Sequence, residues 1–221
     1  MQELIAIAKS FVNLFYPLKC PGCGGQLDAD SGLKLCKDCA TSIKPNAMPP
    51  FELEIPSVKA YSACLYEGTL KELIHVFKYK GRLALACVFS DIMMEYIKEN
   101  PEIMDADIIT AVPLHKSRLK EREFNQSMVI ANKINEKLGF PVKEILEKTV
   151  KTKYQNELTK SERMTNLKGA FKVRENTGIN GKRMLLIDDV MTTGATLNEC
   201  AAAMLSSGAK SVTCFTLSRG I

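Results

Sequence analysis

No stretch of the 221 residues approaches the roughly 20 uninterrupted apolar residues that a membrane-crossing helix needs, so no span is expected. The N-terminus, MQELIAIAKSFVNLFYP, carries Glu3 early and has no basic leader, so a secretory signal is not expected either. Internal repeats and low-complexity segments are also missing, which argues against a solenoid or a largely disordered chain. The eight cysteines do not form the evenly paired framework of a small secreted domain: four cluster near the N-terminus and four are scattered singly. A reducing, cytoplasmic compartment is the expectation.

What is present suits a soluble globular chain. Hydrophobic residues make up 46% and charged residues 25%, enough for one sizeable domain and a small module. Leu4, Ile5, Ala8, Phe11, Val12 and Phe15 fit one face of an N-terminal helix. The net charge is +5, but it is unevenly spread: residues 114–183 hold 17 Lys/Arg against 8 Asp/Glu. A basic middle suits phosphate-rich ligands, either small polyphosphates or nucleic acid, and a merely solvated basic face is the plain alternative.

Composition divides the chain. Residues 1–45 read as a helix followed by a cysteine-rich module. A segment over 46–57 reads as a linker, because four prolines lie between Pro45 and Pro56. Residues 58–221 read as the main domain. There, strand patterns at 58–66, 105–114, 181–189 and 210–218 alternate with helical patterns at 69–79, 83–99, 125–139 and 196–208. Strands separated by helices imply βαβ units, hence an α/β fold with a largely parallel sheet flanked by helices.

Cys20-x2-Cys23 and Cys36-x2-Cys39 are separated by twelve residues. Each pair can form a knuckle presenting two thiolates, and two knuckles offer the tetrahedral four-sulfur set that structural Zn²⁺ prefers. A module this short has little core, so metal binding would supply its folding free energy. A redox pair or an iron–sulfur site is the alternative. Lys19, Lys34, Lys37 and Lys44 lie near, but Asp28, Asp30 and Asp38 offset three of them, so no nucleic-acid face is declared. Cys64, Cys87, Cys200 and Cys214 sit in apolar periodic stretches and read as small core residues, and His75 as a partly buried helix residue.

The stretch MLLIDDVMTTGATL, residues 184–197, ends a buried strand on two adjacent carboxylates. Like charges there repel and resist desolvation, so something must compensate them. In open α/β sheets ligands bind beyond the carboxyl ends of the strands. The turn Met191, Thr192, Thr193, Gly194, Ala195, Thr196 opens the next helix, whose first N–H groups favour a phosphate. Asp188 and Asp189 can accept hydrogen bonds from vicinal hydroxyls. Acceptors for a diol beside donors for a phosphate match a ribose 5-phosphate; a capped helix after a strand end is the plain alternative.

All thirteen positions from Met184 to Thr196 fit the phosphoribosyl pyrophosphate (PRPP) motif, and here the chain resembles the type I phosphoribosyltransferases. AVPLHKSRLKEREFNQS (111–127), KTKYQNELTKSERMTNLKGAF (151–171), FKYKG (77–81) and the four cysteines narrow the resemblance to the ComF-type proteins, over nearly the whole chain. The matching positions of the second segment are Thr152, Gln155, Leu158, Arg163, Asn166, Ala170 and Phe171. Glu123 stands where that family usually has glycine.

The resemblance implies a PRPP fold with Mg²⁺, a place in DNA uptake during natural competence, and work alongside an ATP-driven DNA translocase. By the same analogy Asp188 and Asp189 would hold the ribose 2- and 3-hydroxyls or metal-bound water. Residues Met191 to Thr196 would hold the 5-phosphate. A loop with His115, Lys116, Arg118 and Arg122 would face the pyrophosphate. Residues 149–166 would form a closing hood, with Lys153 and Arg163 its foremost side chains. Three readings stay open: a Mg-dependent transferase, a module engaging single-stranded DNA, and a sensor that binds PRPP without reaction. A glutamine-dependent amidotransferase is disfavoured, since there is no room for an ammonia-producing domain.

Overall fold

The computed structural model describes residues 19–27, 35–150 and 167–220. The proposed N-terminal helix, most of the hood, Lys153 and Arg163 lie outside these residues. Among the described residues, six helices follow one another: α1 (Lys37–Thr41), α2 (Gly68–Lys80), α3 (Leu85–Glu99), α4 (Lys116–Arg122), α5 (Gln126–Leu138) and α6 (Ala195–Ser206). Seven strands are β1 (Phe51–Glu52), β2 (Lys59–Leu65), β3 (Ile108–Ala111), β4 (Leu146–Lys148), β5 (Phe171–Val173), β6 (Arg183–Met191) and β7 (Ser211–Arg219). None of the described helices is long and apolar enough to cross a membrane.

The main sheet runs β1-β2-β7-β6-β3. β2, β7, β6 and β3 are mutually parallel, and only the short edge strand β1 is antiparallel. This is the α/β architecture that alternating strand and helix patterns imply. β4 and β5 form a separate antiparallel pair.

β6 reads as a continuous apolar run because both of its faces are covered. Leu185 and Ile187 join Phe215 and Leu217 of β7 in a core shared with α2, α3 and α5. Met184 and Leu186 join Val212 and Cys214 in a second core shared with α6, β4 and β5. That alternation is the period of two of a pleated strand. It slips near the carboxyl end: Val190 packs against the first core, whereas Met191 belongs to the second. Asp188 and Asp189 sit at the slip. β6 continues through them to Met191, which pairs with Arg219, so the strand starts and ends two residues later than the sequence pattern implies.

α5 is set by both its cap and its face. The Asn125 carboxamide oxygen accepts from the N–H groups of Ser127 and Met128, while its Nδ2 donates to the carbonyl of Val112 at 3.0 Å. Ile130, Ala131 and Ile134 are fully buried. Burial of one such isoleucine is worth about 1.5–3 kcal/mol, so the helix cannot rotate without large loss. Ser127 is thereby placed at the carboxyl end of the sheet.

Three elements have weak signatures in the sequence. α4 carries no buried residue, so it has no apolar stripe to announce it. β4 and β5 are three residues each. The Pro-rich segment carries β1, and its Phe51 and Leu53 lie over the turn after β6. α4 ends on Glu123 with φ 65°, the left-handed region. A glycine costs nothing sterically there, which is the physical reason the ComF-type pattern favours one. Glu123 carries that strain and still keeps the turn.

The cysteine module is not isolated. Cys20, Leu27, Leu35 and Cys39 belong to the same buried cluster as Phe77, Phe89 and Leu73.

Candidate functional site

A cavity of about 300 Å³ opens at the carboxyl end of β6, the place where α/β sheets hold ligands. Asp188, Asp189 and all six residues from Met191 to Thr196 line it. Gly194 caps α6 with φ 78°, and Thr193 Oγ1 accepts from the first helical N–H, that of Ala195, at 3.4 Å. A Cβ on Gly194 would stand 2.8 Å from Leu53 and 3.2 Å from Phe51. Glycine is therefore required twice, for the backbone angle and for the close cover of β1. The helix N–H groups stay directed into the cavity wall, where an anion is favoured.

The two carboxylates are held differently. Asp189 is 7% exposed, and Lys78 Nζ contacts both of its oxygens, at 2.9 and 2.8 Å. Asp188 accepts from Ser127 Oγ at 2.7 Å and from the backbone N–H of Asp189 at 2.9 Å. Burial, and then the charge of Asp189, push the Asp188 carboxyl up to about 7, although Ser127 and Lys78 pull the other way. One acid of the pair is thus ion-paired to Lys78, while the other is held above the usual carboxylate range.

Of the expected pyrophosphate loop, Arg118 and Arg122 line the cavity. His115 and Lys116 are not among its lining residues. His115 Nδ1 instead accepts from the N–H of Ser117 and starts α4. Lys148 enters from β4; burial, and then the nearby Arg118, lower its amine to about 8. Lys78, Tyr79, Gln126, Ser127 and Lys148 were not singled out by sequence reasoning. Lys78 and Tyr79 lie in the FKYKG stretch, but nothing local shows that Lys78 meets a carboxylate 111 residues away.

The four N-terminal cysteines converge. Their sulfur atoms all lie within 4.8 Å of one another, and Cys23 Sγ to Cys36 Sγ is 3.7 Å. Tetrahedral Zn–S bonds of about 2.3 Å require sulfurs about 3.8 Å apart, so the set fits zinc. Backbone N–H groups of Gly25, Cys36 and Cys39 point at Sγ of Cys23, Cys20 and Cys36. Burial alone would raise the Cys20 thiol, but backbone N–H groups of Cys36, Cys23 and Gly22 bring it down to about 6. Cys39 is pushed up by burial and by the neighbouring thiols. Several thiolates side by side need a cation among them. Gly22 is in close contact too: a Cβ there would lie 2.8 Å from Cys39 Sγ.

Comparison with known proteins agrees with this geometry. The phosphoribosyl transferase domain model matches residues 125–220. The chain is 30% identical over 204 residues to the DNA utilization protein YhgH of Escherichia coli (strain K12), covering 90% of this chain and 83% of that protein. It is 29% identical to Competence protein ComFC of Bacillus subtilis (strain 168), covering 90% and 77%. The corresponding match to Competence protein ComFC of Streptococcus pneumoniae (strain ATCC BAA-255 / R6) is 29%, covering 90% and 80%.

Elemental analysis of the purified protein is expected to find one zinc per chain. Cys36→Ser should release it and lower the melting temperature, because Cys39 and Leu35 are shared with the main core; a folded, metal-free wild type would refute the four-sulfur site. Asp188 gives a second expectation. Its carboxyl titrates higher in the folded chain than the usual value near 4, so the folded state holds the extra proton between about pH 4 and 7. The contribution of Asp188 to stability is therefore greatest in acid and falls as pH rises through that window, by at most about 1.4 kcal/mol per unit. Urea unfolding of wild type and Asp188→Asn at pH 5 to 8 should show the variant gaining on wild type toward pH 8; parallel curves would contradict it.

Proposed function

Because the chain belongs to the ComF family, as a 30% identical relative covered over 83% of its length establishes, we propose that it binds PRPP and acts in DNA uptake during natural transformation, contacting single-stranded DNA. The observation that carries the ligand reading is the meeting of Asp188 and Asp189 with the 191–196 turn in one cavity. Two carboxylates accept from the ribose 2- and 3-hydroxyls. The Gly194 turn and the backbone N–H groups at the start of α6 receive the 5-phosphate. The DNA reading draws on the relatives named for DNA utilization and competence and on the basic stretch 114–183. A DNA translocase driven by ATP is the proposed partner. The cysteine module supplies a metal-stiffened surface against which such a partner can seat.

The second reading is a transferase, moving ribose 5-phosphate from PRPP to a nucleophile. Arg118 and Lys148, adjacent on the cavity wall, favour it. Their positive charge stands where a diphosphate leaving C1 gathers charge. The donor set also fits magnesium, which needs only one or two carboxylates besides water and phosphate oxygens. Bound with the diphosphate, Mg²⁺ neutralises charge as the leaving group departs. The chain's own task is to fix the ribose by its hydroxyls and its 5-phosphate, and to keep Lys148 and Arg118 beside the leaving group. Lys153 and Arg163 are proposed to close over it.

Mg·PRPP should raise the melting temperature of the wild type, and the Asp188→Asn, Asp189→Asn double variant should lose most of that shift. A wild type indifferent to Mg·PRPP would remove the ligand and both readings built on it. Single-stranded DNA binding, followed by fluorescence anisotropy, should weaken steeply between 50 and 200 mM salt if the basic stretch carries it. No binding at 50 mM would end the DNA role for the isolated chain.

A further inference from the structure

The helix α2 is seated by Leu70, Leu73, Ile74 and Phe77, all buried. The residue that follows them, Lys78, reaches the acid pair from this fixed base. Its Nζ lies 2.9 Å from one oxygen of Asp189 and 2.8 Å from the other, and the two side chains are only 19% and 10% exposed. An ammonium is a compact charge on a flexible four-carbon stem, so it can leave this position without any shift of the helix. Ser127 and the Asp189 N–H, which meet Asp188, bring no charge. Lys78 thus occupies both oxygens of Asp189 with a positive charge of the protein's own, the kind of contact a divalent cation would make.

The rest of the cavity wall supplies a second, independent sign. Among the described residues, the cationic side chains Lys78, Arg118, Arg122 and Lys148 line it, against the two carboxylates Asp188 and Asp189. Arg122 donates to Gln126 Oε1 and Tyr79 Oη, both neutral, so these contacts do not cancel its charge. The wall these residues form carries excess positive charge before any ligand arrives. A bare divalent cation is repelled by such a wall, and it would have to displace a largely buried ion pair to reach Asp189. A diphosphate is attracted by the same wall. A cation arriving on a diphosphate also brings the anionic oxygens that a displaced ammonium needs.

We propose that Lys78 is a resident counter-cation that closes Asp189 to free divalent metal and yields it only to a ligand bringing cation and anion together. Lys78 then determines specificity as well. This part rests on the reading that the 191–196 turn holds a 5-phosphate. Ribose 5-phosphate places its one anionic group on that turn and offers the ammonium nothing, whereas PRPP offers it the diphosphate.

The probe is Mn²⁺, a paramagnetic substitute for Mg²⁺ at oxygen ligands. Its free-ion resonance signal gives the amount taken up by the zinc-loaded, full-length protein with no other ligand present. Lys78→Met should bind Mn²⁺ about tenfold or more tightly than the wild type, and adding Asp189→Asn should abolish that gain. Equal affinity in wild type and Lys78→Met overturns the proposal. Calorimetric titration with Mg²⁺ present then compares PRPP with ribose 5-phosphate. The preference for PRPP should fall about fivefold or more in Lys78→Met. A lysine with a purely structural part would weaken both ligands alike, and an unchanged ratio overturns the specificity role. If the methionine variant does not fold, Lys78→Gln, which keeps a donor without the charge, decides both comparisons. The Mg·PRPP melting shift is read on the same proteins. A Mn²⁺ gain without that shift in the wild type refutes the ribose-phosphate cradle and upholds the counter-cation; the shift without the gain refutes the counter-cation alone.

Discussion

Two carboxylates on consecutive residues of a buried strand persist only if each finds its own compensation. Asp189 finds it in Lys78, which contacts both of its oxygens, both side chains being largely buried. Asp188 finds weaker help, a hydroxyl and a backbone N–H, which do not offset burial and the charge of Asp189, so its carboxyl is pushed up to about 7. Removing Lys78 would leave a buried charge unmatched, a far larger loss than a surface ion pair brings. α2 is seated by Leu70, Leu73, Ile74 and Phe77 in the first core, and that seating brings Lys78 to Asp189. Ser127 likewise reaches Asp188 because α5 is fixed by its buried face and by the tie from Asn125 to Val112.

The same pair explains how a ligand is received. Lys78 and Ser127 already meet the two carboxylates, so any ligand that accepts or donates at Asp188 or Asp189 competes with those contacts. A site arranged this way avoids exposing bare charge and exchanges partners instead. The turn from Met191 to Thr196 carries no side-chain charge, and its Gly194 is close-packed under Phe51 and Leu53 at the start of α6. Charge is kept for the other wall, where Arg118 and Lys148 stand.

The cysteine module and the main domain share a core. Leu35 and Cys39 pack in the cluster that includes Phe77, the residue before Lys78. Phe77 in turn meets Phe89 and Phe124 edge-on or tilted, at 5.3 and 5.5 Å. The metal site therefore adjoins the helix that carries the counter-ion of Asp189. Physical contiguity of this kind is what coupling between the two would require.

Much of this protein was legible along the chain. The spacing of Cys20, Cys23, Cys36 and Cys39, the alternation of strands and helices, and the carboxylate-to-glycine run after β6 are local patterns, because each rests on interactions between near neighbours or on a fixed backbone period. α4, β4 and β5 escaped because they are short and bury little, so no period marks them. The extension of β6 to Met191 depends on pairing with Arg219, which lies on another strand. The partners of the aspartates were beyond reach for the same reason: Lys78 and Ser127 stand 111 and 61 residues away. Sequence by itself determined the fold class, the clustering of the four cysteines and the position of the acid pair at the end of a buried strand. Only the tertiary structure decided which residue neutralises each acid, which basic side chains enter the cavity, and that Tyr79, Arg122 and Gln126 meet there, since each of these is set by burial and by long-range packing.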